Sequence, residues 1–540
     1  MSVLKNTLRY AVAAAIAGGA ATSANALSVG GYPYAGQINV YISGSTALDP
    51  TLTNAAIQTA SGQIGLCQSG TTDIYLIGTS QKLILCTSTN AGGMTAGQPL
   101  AIFKESEVGS ANGVQPLINA AKNLPSGTRF INPAGISDTG TNNCGTPATT
   151  LATGDFGTFV THPSCPSSGV TGFTIVPTGG VSDVEAAILQ TAAGVQVSTA
   201  DASTYLTTPA GTVDQVWGVP VTKALYYALQ DAEGLTASCP ASFTLYGSVV
   251  AGSTFAGRDS PSCAPSLSKP QISSILTGNI FSGSQLGVAT NATDDTLYLC
   301  RRDVGSGTEA SYEYLFVGQR CGKTSLGVQS EGGAVWAAGS GGGVRTCMQA
   351  FQNAGKTLTH FYDTATITPT AGSYAVGFLN TEVTAANLSG TGDAFRYVAV
   401  DGVLPQIANV QNGTYPYFST GAAYKIQPGK PNAPGGASLV AFNAVTKLIG
   451  HPLWTADSNT NYSANPWGVA GDVSPAGLYA ASNPPTLPAD HVSAKANPTN
   501  AFTKSASGGV NNCDVPQFDG ADLSTNPVET KLLGTGTVNN

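Results

Sequence analysis

The chain repeats one short pattern, in which an apolar stretch is followed by a loop of glycine, serine and threonine and then by a segment with helical spacing. In the first copy, polar and apolar residues alternate over 37–42, as in a strand, before the loop 43–46. A helix-like run follows over 49–60. Strand, small-residue loop and helix form the unit of open α/β sheets, so the pattern predicts an α/β fold.

Three further copies of this pattern follow along the chain. The predicted strands are 100–103, 173–176 and 296–300, their loops are 109–113, 178–183 and 305–308, and their helices are 114–124, 184–193 and 309–316. In open α/β sheets such loops lie at the carboxyl ends of the strands, where ligands bind. We therefore expect the four loops to meet around one ligand.

The first 26 residues are predicted to be a signal peptide rather than part of the fold. Lys5 and Arg9 give a positive start, residues 10–21 form an uncharged apolar run, and Ala-Asn-Ala at 24–26 matches a small-residue cleavage site. The apolar run is too short to span a bilayer, and no comparable run follows. We expect a mature chain that begins near Leu27, does not span the membrane and is periplasmic or extracellular.

The composition is typical of an exported protein with two or three domains. Of its 540 residues 66 are Gly, 42% are hydrophobic and only 10% are charged. A net charge of −8 argues against nucleic-acid binding, because phosphate backbones require many Lys and Arg side chains. Two regions break the repeated pattern. Residues 132–172 are polar and are predicted to be a surface insertion, and residues 458–540 are predicted to be an irregular C-terminal extension.

Ten cysteines in an exported chain indicate disulfide bonds. Their spacing matches neither CxxC nor CxxCH, which argues against the commonest redox, zinc and haem motifs. Connectivity does not follow from sequence, and the simplest expectation pairs neighbours along the chain. These pairs are Cys67–Cys86, Cys144–Cys165, Cys239–Cys263 and Cys300–Cys321, which leaves Cys347 with Cys513.

The segment 301–308 combines arginine with a Gly-Ser-Gly-Thr loop that precedes a predicted helix. Glycine lets backbone N–H groups converge, and Ser and Thr add neutral donors. The start of a helix adds unpaired N–H groups, and arginine offers a planar fork for two oxygens of an anion. Such a segment suits a small tetrahedral oxyanion. The acidic net charge does not oppose this, because the donors act at hydrogen-bond range.

At this segment the chain resembles the phosphate-binding proteins of bacterial ABC uptake systems, the PstS-like family, which carries an Arg shortly before Gly-Ser-Gly-Thr. The resemblance implies a two-lobed periplasmic-binding-protein fold with the ligand in a cleft between the lobes. Arg301 is the alternative arginine if the register differs by one residue. The family often has Asp directly before the motif, whereas here Val304 stands there and Asp303 is displaced by one position. The anion ligands that the resemblance implies are Arg302, Ser306, Gly307 and Thr308.

The other loops resemble the same family in the same order. The resemblance implies that Asp183 accepts the proton of a monohydrogen oxyanion, since a buried carboxylate repels a fully deprotonated one. Taken alone, Asp183 is better explained as a helix cap, and Ser110 would also suit one. Arg302 beside Asp303 would suit a surface ion pair, but its position beside Gly-Ser-Gly-Thr favours the ligand role. The further implied ligands are Ser45 and Thr46 in the first loop, Ser110 in the second, and Ser182 and Asp183 in the third.

The resemblance covers roughly residues 37–424 and implies the domain boundaries. Residues 217–221 resemble the crossing into a second lobe, and residues 374–378 resemble the return. The expected arrangement is a first lobe at 27–216 with the insertion, a second lobe at 217–375, a return to the first lobe at 376–457, and the extension at 458–540.

Three functions of different classes follow from these observations. The favoured one is a solute-binding protein that captures phosphate or a similar oxyanion for ABC-type uptake through a permease, without a cofactor and without catalysis. An extracellular surface or matrix protein on the same scaffold would explain the insertion, the extension and the low charge content. A phosphate-ester hydrolase would need a nucleophile with a base, or a metal cluster. Neither GxSxG nor HExxH occurs, and the four histidines are scattered.

Overall fold

The computed structural model describes most of residues 27–449 and three short stretches of the C-terminal extension. The predicted signal peptide, Cys321 and Cys513 lie outside the described residues. The described ranges are 27–57, 65–78, 80–107, 109–140, 142–150, 158–171, 173–190, 197–207, 210–239, 242–244, 254–289, 294–318, 327–353, 357–360, 362, 364–381, 394–406, 409–410, 413–449, 472–473, 502–503 and 517–518.

The helices are mostly short, and several begin at a capping serine. Ser268 accepts from the backbone of Gln271, whose side chain accepts in return from the backbone N–H of Ser268, and this capping box starts the sixth helix. The α-helices of the described residues are α1 Asp49–Ile57, α2 Gln115–Ala121, α3 Ala186–Leu189, α4 Thr199–Tyr205, α5 Lys223–Ala232, α6 Lys269–Leu276, α7 Gly307–Tyr312, α8 Gly341–Asn353 and α9 Gly436–Ile449. A π-helical turn, Glu313–Val317, continues α7.

The strands outnumber the helices, and most of them belong to one large mixed sheet. In chain order they are β1 Ile38–Gly44, β2 Thr72–Ile77, β3 Gln81–Thr87, β4 Pro99–Glu105, β5 Thr128–Arg129, β6 Ala148–Thr150, β7 Phe159–His162, β8 Thr174–Ile175, β9 Gly179–Ser182, β10 Ala210–Thr222, β11 Ser242–Thr244 and β12 Thr254–Ala256. They continue with β13 Ser266–Leu267, β14 Leu297–Arg302, β15 Val335–Ala338, β16 Leu358–Thr359, β17 Thr366–Ile367, β18 Tyr374–Gly377, β19 Leu379–Asn380, β20 Phe395–Val400, β21 Phe418–Tyr424, β22 Asp472–Val473, β23 Phe502–Thr503 and β24 Gln517–Phe518.

The first half of the large sheet has a parallel centre. Strand β1 pairs in parallel with β4 on one side and with β9 on the other. Beyond β4 the antiparallel strands β3 and β2 follow, and beyond β9 the antiparallel strand β21. The α/β fold predicted from the sequence is confirmed. The carboxyl ends of β1, β4 and β9 share one edge of this half, because parallel neighbours end on the same side.

Strand β10 joins the two halves of the sheet. Its first part pairs with β21 of the first half, and its last part pairs with β18 and β20 of the second half. In the second half β14 pairs in parallel with both β15 and β18. The extension also reaches this junction, because β22 pairs with β10 at Asp214 and Gln215.

The hydrophobic cores follow this division. One large cluster surrounds the second half and includes residues of α5, α6, α8 and β14, while three smaller clusters lie in the first half. Strand β20 and Tyr415 pack into the large cluster of the second half. Strand β21 pairs with β9 of the first half, and the return to a first lobe at 376–457 stays a prediction.

The insertion at 132–172 is built into the sheet rather than lying only on the surface. Strand β7 pairs in parallel with β2, and β6 pairs with β7 at the edge of the first half. Ile136, Cys144 and Cys165 are buried in one of the first-half clusters. The polar composition of this stretch concealed two edge strands and their apolar anchors.

Four disulfides lie within the described residues. Three join the expected neighbours, Cys67–Cys86, Cys144–Cys165 and Cys239–Cys263. Cys300 pairs with Cys347, so the predicted pairs Cys300–Cys321 and Cys347–Cys513 were both wrong. Cys300 lies in β14 and Cys347 in α8, which packs against that strand. This packing, rather than distance along the chain, brings their Cα atoms to 6.0 Å.

The third predicted strand was misplaced. Residues 173–176 contribute only β8, which pairs with β5 outside the large sheet, and the sheet strand is β9 at the Gly-Gly sequence assigned to the loop. A Cβ on Gly179 would lie 2.1 Å from the ring of Phe442, and one on Gly180 would lie 1.7 Å from the carbonyl oxygen of Gly113. The two glycines therefore allow close packing inside a strand, which is a recognised use of strand glycine.

Candidate functional site

Three loops of the first half meet at the Asp183 carboxylate. The Ser45 hydroxyl, directly after β1, donates to Asp183 Oδ1. The Ser110 hydroxyl, in the turn after β4, accepts from the Asp183 backbone N–H at 2.9 Å. All three residues are buried. The predicted convergence of these loops is therefore present in the structure.

Backbone contacts hold these loops together. Gly44 ends β1 with a φ of +94°, and its position has no room for a side chain, because a Cβ there would lie 2.2 Å from the carbonyl oxygen of Val181. A Cβ on Gly113 would lie 2.2 Å from the same oxygen. Glycine at these positions lets the end of β1 and the turn at Gly113 pack against the β9 backbone.

Arg302, the last residue of β14, reaches the same place from the second half. Its side chain is 1% exposed. The guanidinium donates to the carbonyl oxygens of Ala338 and Gly339 at 3.2 and 3.0 Å, and to the Thr46 hydroxyl at 3.3 Å. Three of its five N–H groups are used in these bonds. Arg302 thus bridges the second half to the first loop.

The Gly-Ser-Gly-Thr loop faces the first half directly. The Ala111 N–H donates to the Gly305 carbonyl at 3.0 Å. A Cβ on Gly307 would lie 2.2 Å from Ser110 Oγ and 2.8 Å from Asp183 Oδ2. Ser306 caps α7, since its hydroxyl accepts from the Glu309 N–H, and Thr308 is buried in the first turn of that helix.

Not every predicted residue lies equally close to this point. The Ser182 hydroxyl is used locally, because it accepts from the Val184 N–H at 3.2 Å and donates to the carbonyl of the same residue. Arg301 lies on the opposite face of β14 from Arg302, where its guanidinium is 3.6 Å from Glu309 Oε1. The register with Arg302 at the site therefore fits the contacts better than the alternative with Arg301.

Asp303 is displaced from the family position but still lies beside the arginine. Its carboxylate is 3% exposed and approaches the Arg302 guanidinium at 4.0 Å. It also accepts from the Gly305 N–H at 3.3 Å, which shapes the loop. Arg302 therefore has a carboxylate neighbour in Asp303.

Burial dominates the electrostatics of the site. It raises the pKa of Asp183 above its ordinary value, although hydrogen bonds from Ser45 and Ser110 and the charges of Arg302 and Lys104 act in the opposite direction. Burial likewise lowers the pKa of Arg302 and raises that of Asp303. Each of these three groups faces an opposite charge or a hydrogen-bond donor.

A network behind the loops positions α7, and no sequence pattern indicated it. Ser419 on β21 donates to the Asp183 carbonyl at 2.8 Å and accepts from the Trp217 indole at 2.8 Å and from Ser311 at 3.3 Å. The Tyr312 hydroxyl donates to the carbonyls of Gly218 and Leu379, on β10 and β19. These bonds fix the helix that follows the Gly-Ser-Gly-Thr loop relative to the strand joining the halves.

The described part of the chain contains no group of three or more His, Cys, Asp or Glu side chains arranged to hold a metal ion. None of its helices combines the length and the apolar character needed to cross a membrane.

Comparisons with known proteins give a distant likeness. No family model and no curated protein matches the chain. Similar solved structures include one assigned as a phosphate ABC transporter substrate-binding protein from Clostridium perfringens, with a TM-score of 0.35 and 12% identity over 78% of this chain and 97% of that one. An ABC-type phosphate transport receptor from Vibrio cholerae has a TM-score of 0.26 and 13% identity over 50% of this chain and 76% of that one. At such low TM-scores the likeness establishes neither family nor ligand.

Proposed function

We propose that the protein binds a tetrahedral oxyanion, with phosphate preferred, between the two halves of its sheet. The observation that carries this proposal is the convergence of Asp183 and Arg302, each 1% exposed, with serine hydroxyls from separate strand-ending loops. Ser45 and Ser110 belong to the first half, and Ser306 belongs to the second. Donors from separate strand ends are the usual composition of a ligand site in an open α/β sheet.

The chemistry of this set suits one small anion. The planar guanidinium of Arg302 suits two oxygens of a tetrahedral ligand. The hydroxyls of Thr46 and Thr308 and the backbone around Gly307 supply neutral donors, so the ligand brings the compensating negative charge. Closure of the halves would replace water by these fixed donors, which strengthens each contact in a low-dielectric site.

Asp183 provides the basis for selection. A carboxylate accepts a hydrogen bond from an anion that keeps a proton and repels one that has none. Phosphate and arsenate keep a proton at neutral pH and sulfate does not. Phosphate and arsenate are therefore the preferred ligands, and sulfate is expected to bind more weakly.

The proposed role is capture of the anion outside the cytoplasm for ABC-type uptake, with delivery to a permease. This role follows from the predicted signal peptide, the disulfides within the described residues and the resemblance of the Arg302–Thr308 segment to PstS-like proteins. It requires neither a cofactor nor catalysis.

Isothermal titration of the purified mature protein with phosphate, arsenate and sulfate tests the proposal. Binding of phosphate and arsenate, with sulfate at least about tenfold weaker, is the expected result. Absence of binding to all three anions would overturn the proposed function. Hydrolysis of a chromogenic phosphate ester that is lost in Arg302→Ala would favour the hydrolase alternative instead.

A further inference from the structure

A second buried cation lies behind the first loop. Lys104, on β4, is fully buried. Its ammonium group donates to the carbonyl oxygens of Gly44 and Ser45, the latter at 3.0 Å, and to the Ser106 hydroxyl at 2.7 Å. It also forms an ion pair of 2.9 Å with Asp49 Oδ1, at the start of α1. A largely apolar strand thus ends in two charged side chains, Lys104 and Glu105, and two of the contacts of Lys104 are to the loop backbone.

These contacts fix the direction of two peptide groups. In a trans peptide the C=O of one residue and the N–H of the next point to opposite sides. Since Lys104 holds the carbonyls of Gly44 and Ser45 on its own side, the N–H groups of Ser45 and Thr46 are directed to the other side. The Thr46 hydroxyl contacts Arg302, the cation of the proposed anion site.

The backbone at this point also requires support. Ser45 has a φ of +21°, a positive value that serine rarely adopts, and Gly44 has a φ of +94°. Unusual backbone of this kind persists where surrounding contacts determine it. Two contacts hold the backbone in this conformation. Lys104 binds the Ser45 carbonyl, and the Ser45 hydroxyl donates to Asp183.

On the basis of the proposed anion site, we propose that Lys104 is a positioning residue that aims the backbone N–H groups of Ser45 and Thr46 at the anion. It does not touch the ligand. It acts through the two carbonyls that it holds, and its charge adds to the positive potential that Arg302 provides from the other half.

The chain offers a matched control for a merely structural role. Lys82, on β3, lies directly across from Lys104 in the strand register. Its ammonium donates to the Asp49 carbonyl at 3.4 Å and to the Thr53 hydroxyl, so it shares the same neighbourhood. Its described contacts are to α1 and not to the loop carbonyls. Lys82→Met therefore removes a neighbouring cation and leaves the loop held.

The test compares Lys104→Met and Lys82→Met with the wild type by isothermal titration with phosphate, together with thermal unfolding of each protein. Lys104→Met is expected to weaken phosphate binding by at least about tenfold, and Lys82→Met by less than about threefold. Equal losses in the two variants, or no loss in Lys104→Met, would overturn the inference. Failure of the wild type to bind any oxyanion would instead overturn the proposed function. If Lys104→Met does not fold, Lys104→Gln and Lys82→Gln replace the pair, with the same decision.

The pH dependence of binding provides a readout that stability alone would not move. Asp183 must be ionised to accept the hydrogen bond of the anion in full strength, and the charge of Lys104 lowers the pKa of Asp183 against the effect of burial. Removal of that charge is expected to move the acid limb of phosphate binding to higher pH in Lys104→Met but not in Lys82→Met. An unchanged acid limb in Lys104→Met would show that its charge does not reach the site.

Discussion

Replacement of Asp183 by Asn changes one charge in the site and hardly any volume. Burial raises the pKa of Asp183 above 3.8, although Ser45, Ser110 and Arg302 act in the opposite direction. A carboxyl with a raised folded-state pKa contributes stability that is complete below its unfolded pKa and is lost as the pH rises through its folded pKa. At neutral pH the free Asn variant is therefore expected to unfold at the same temperature as the wild type, or at a higher one.

Phosphate binding is expected to move in the opposite direction. The proposed hydrogen bond from the anion to Asp183 involves a charged acceptor, and such bonds contribute about 1.5–3 kcal/mol. This corresponds to a roughly 10- to 150-fold weaker affinity in Asp183→Asn. Sulfate has no proton to donate and is relieved of repulsion, so its affinity is expected to stay constant or to rise.

The assay is isothermal titration of both proteins with phosphate and with sulfate at pH 7, with thermal unfolding of the free proteins. Asp201→Asn is the control, because it makes the same chemical change in a partly exposed ion pair with Lys122 in the first half. An equal loss for both anions would refute the role of Asp183 in selection. A lowered unfolding temperature of free Asp183→Asn would refute the reasoning from burial.

Three further predictions concern the loop, a disulfide and a buried acid. Gly307→Ala is expected to weaken phosphate binding at least about tenfold in titration, because the methyl group would lie 2.2 Å from a hydroxyl of the first half, whereas Gly342→Ala in α8 should have no effect. Joint replacement of Cys300 and Cys347 by Ser should lower the free energy of unfolding in urea by about 4 kcal/mol, since the bridge closes a 47-residue separation. Burial raises the pKa of Glu105 from 4.5 to about 8, so stability should fall as the pH rises from about 5 to 9, and Glu105→Gln should reduce that slope in urea unfolding series.

The strand predictions were most reliable where the two faces of a strand enter two different hydrophobic clusters. Strand β1 shows this, because Val40 and Ile42 point into one cluster and Tyr41 into another. The alternation is then visible in the sequence. Strand β9 was missed because its Gly-Gly sequence has no side chains to alternate, and glycine is common in loops for unrelated reasons.

The parts of the site differ in the same way. The position of Arg302 in the candidate site could be predicted, because the residues expected to bind an anion together with an arginine are its sequence neighbours in the Gly-Ser-Gly-Thr segment. Ser419 could not, since its contact with Asp183 spans 236 residues and depends on the antiparallel placement of β21. Lys104 left a trace, a charge at the end of an apolar strand, but only the fold shows that it holds the loop carbonyls.

An acidic chain can hold an anion because its net charge and its site act at different distances. The charge of −8 is a property of the whole chain, and at physiological ionic strength exposed charges are screened beyond about 8 Å. Within the proposed site, Arg302 faces Asp183 and Asp303 in a buried setting, and Lys104 lies behind the first loop in an ion pair with Asp49. The carboxylate of Asp183 is already bonded to Ser45, and Arg302 is already bonded to carbonyl oxygens. An entering anion must improve on these internal contacts, so affinity is a small difference between large terms. The same balance favours selectivity. An anion without a proton cannot donate a hydrogen bond to Asp183 and is repelled by the charge of its carboxylate.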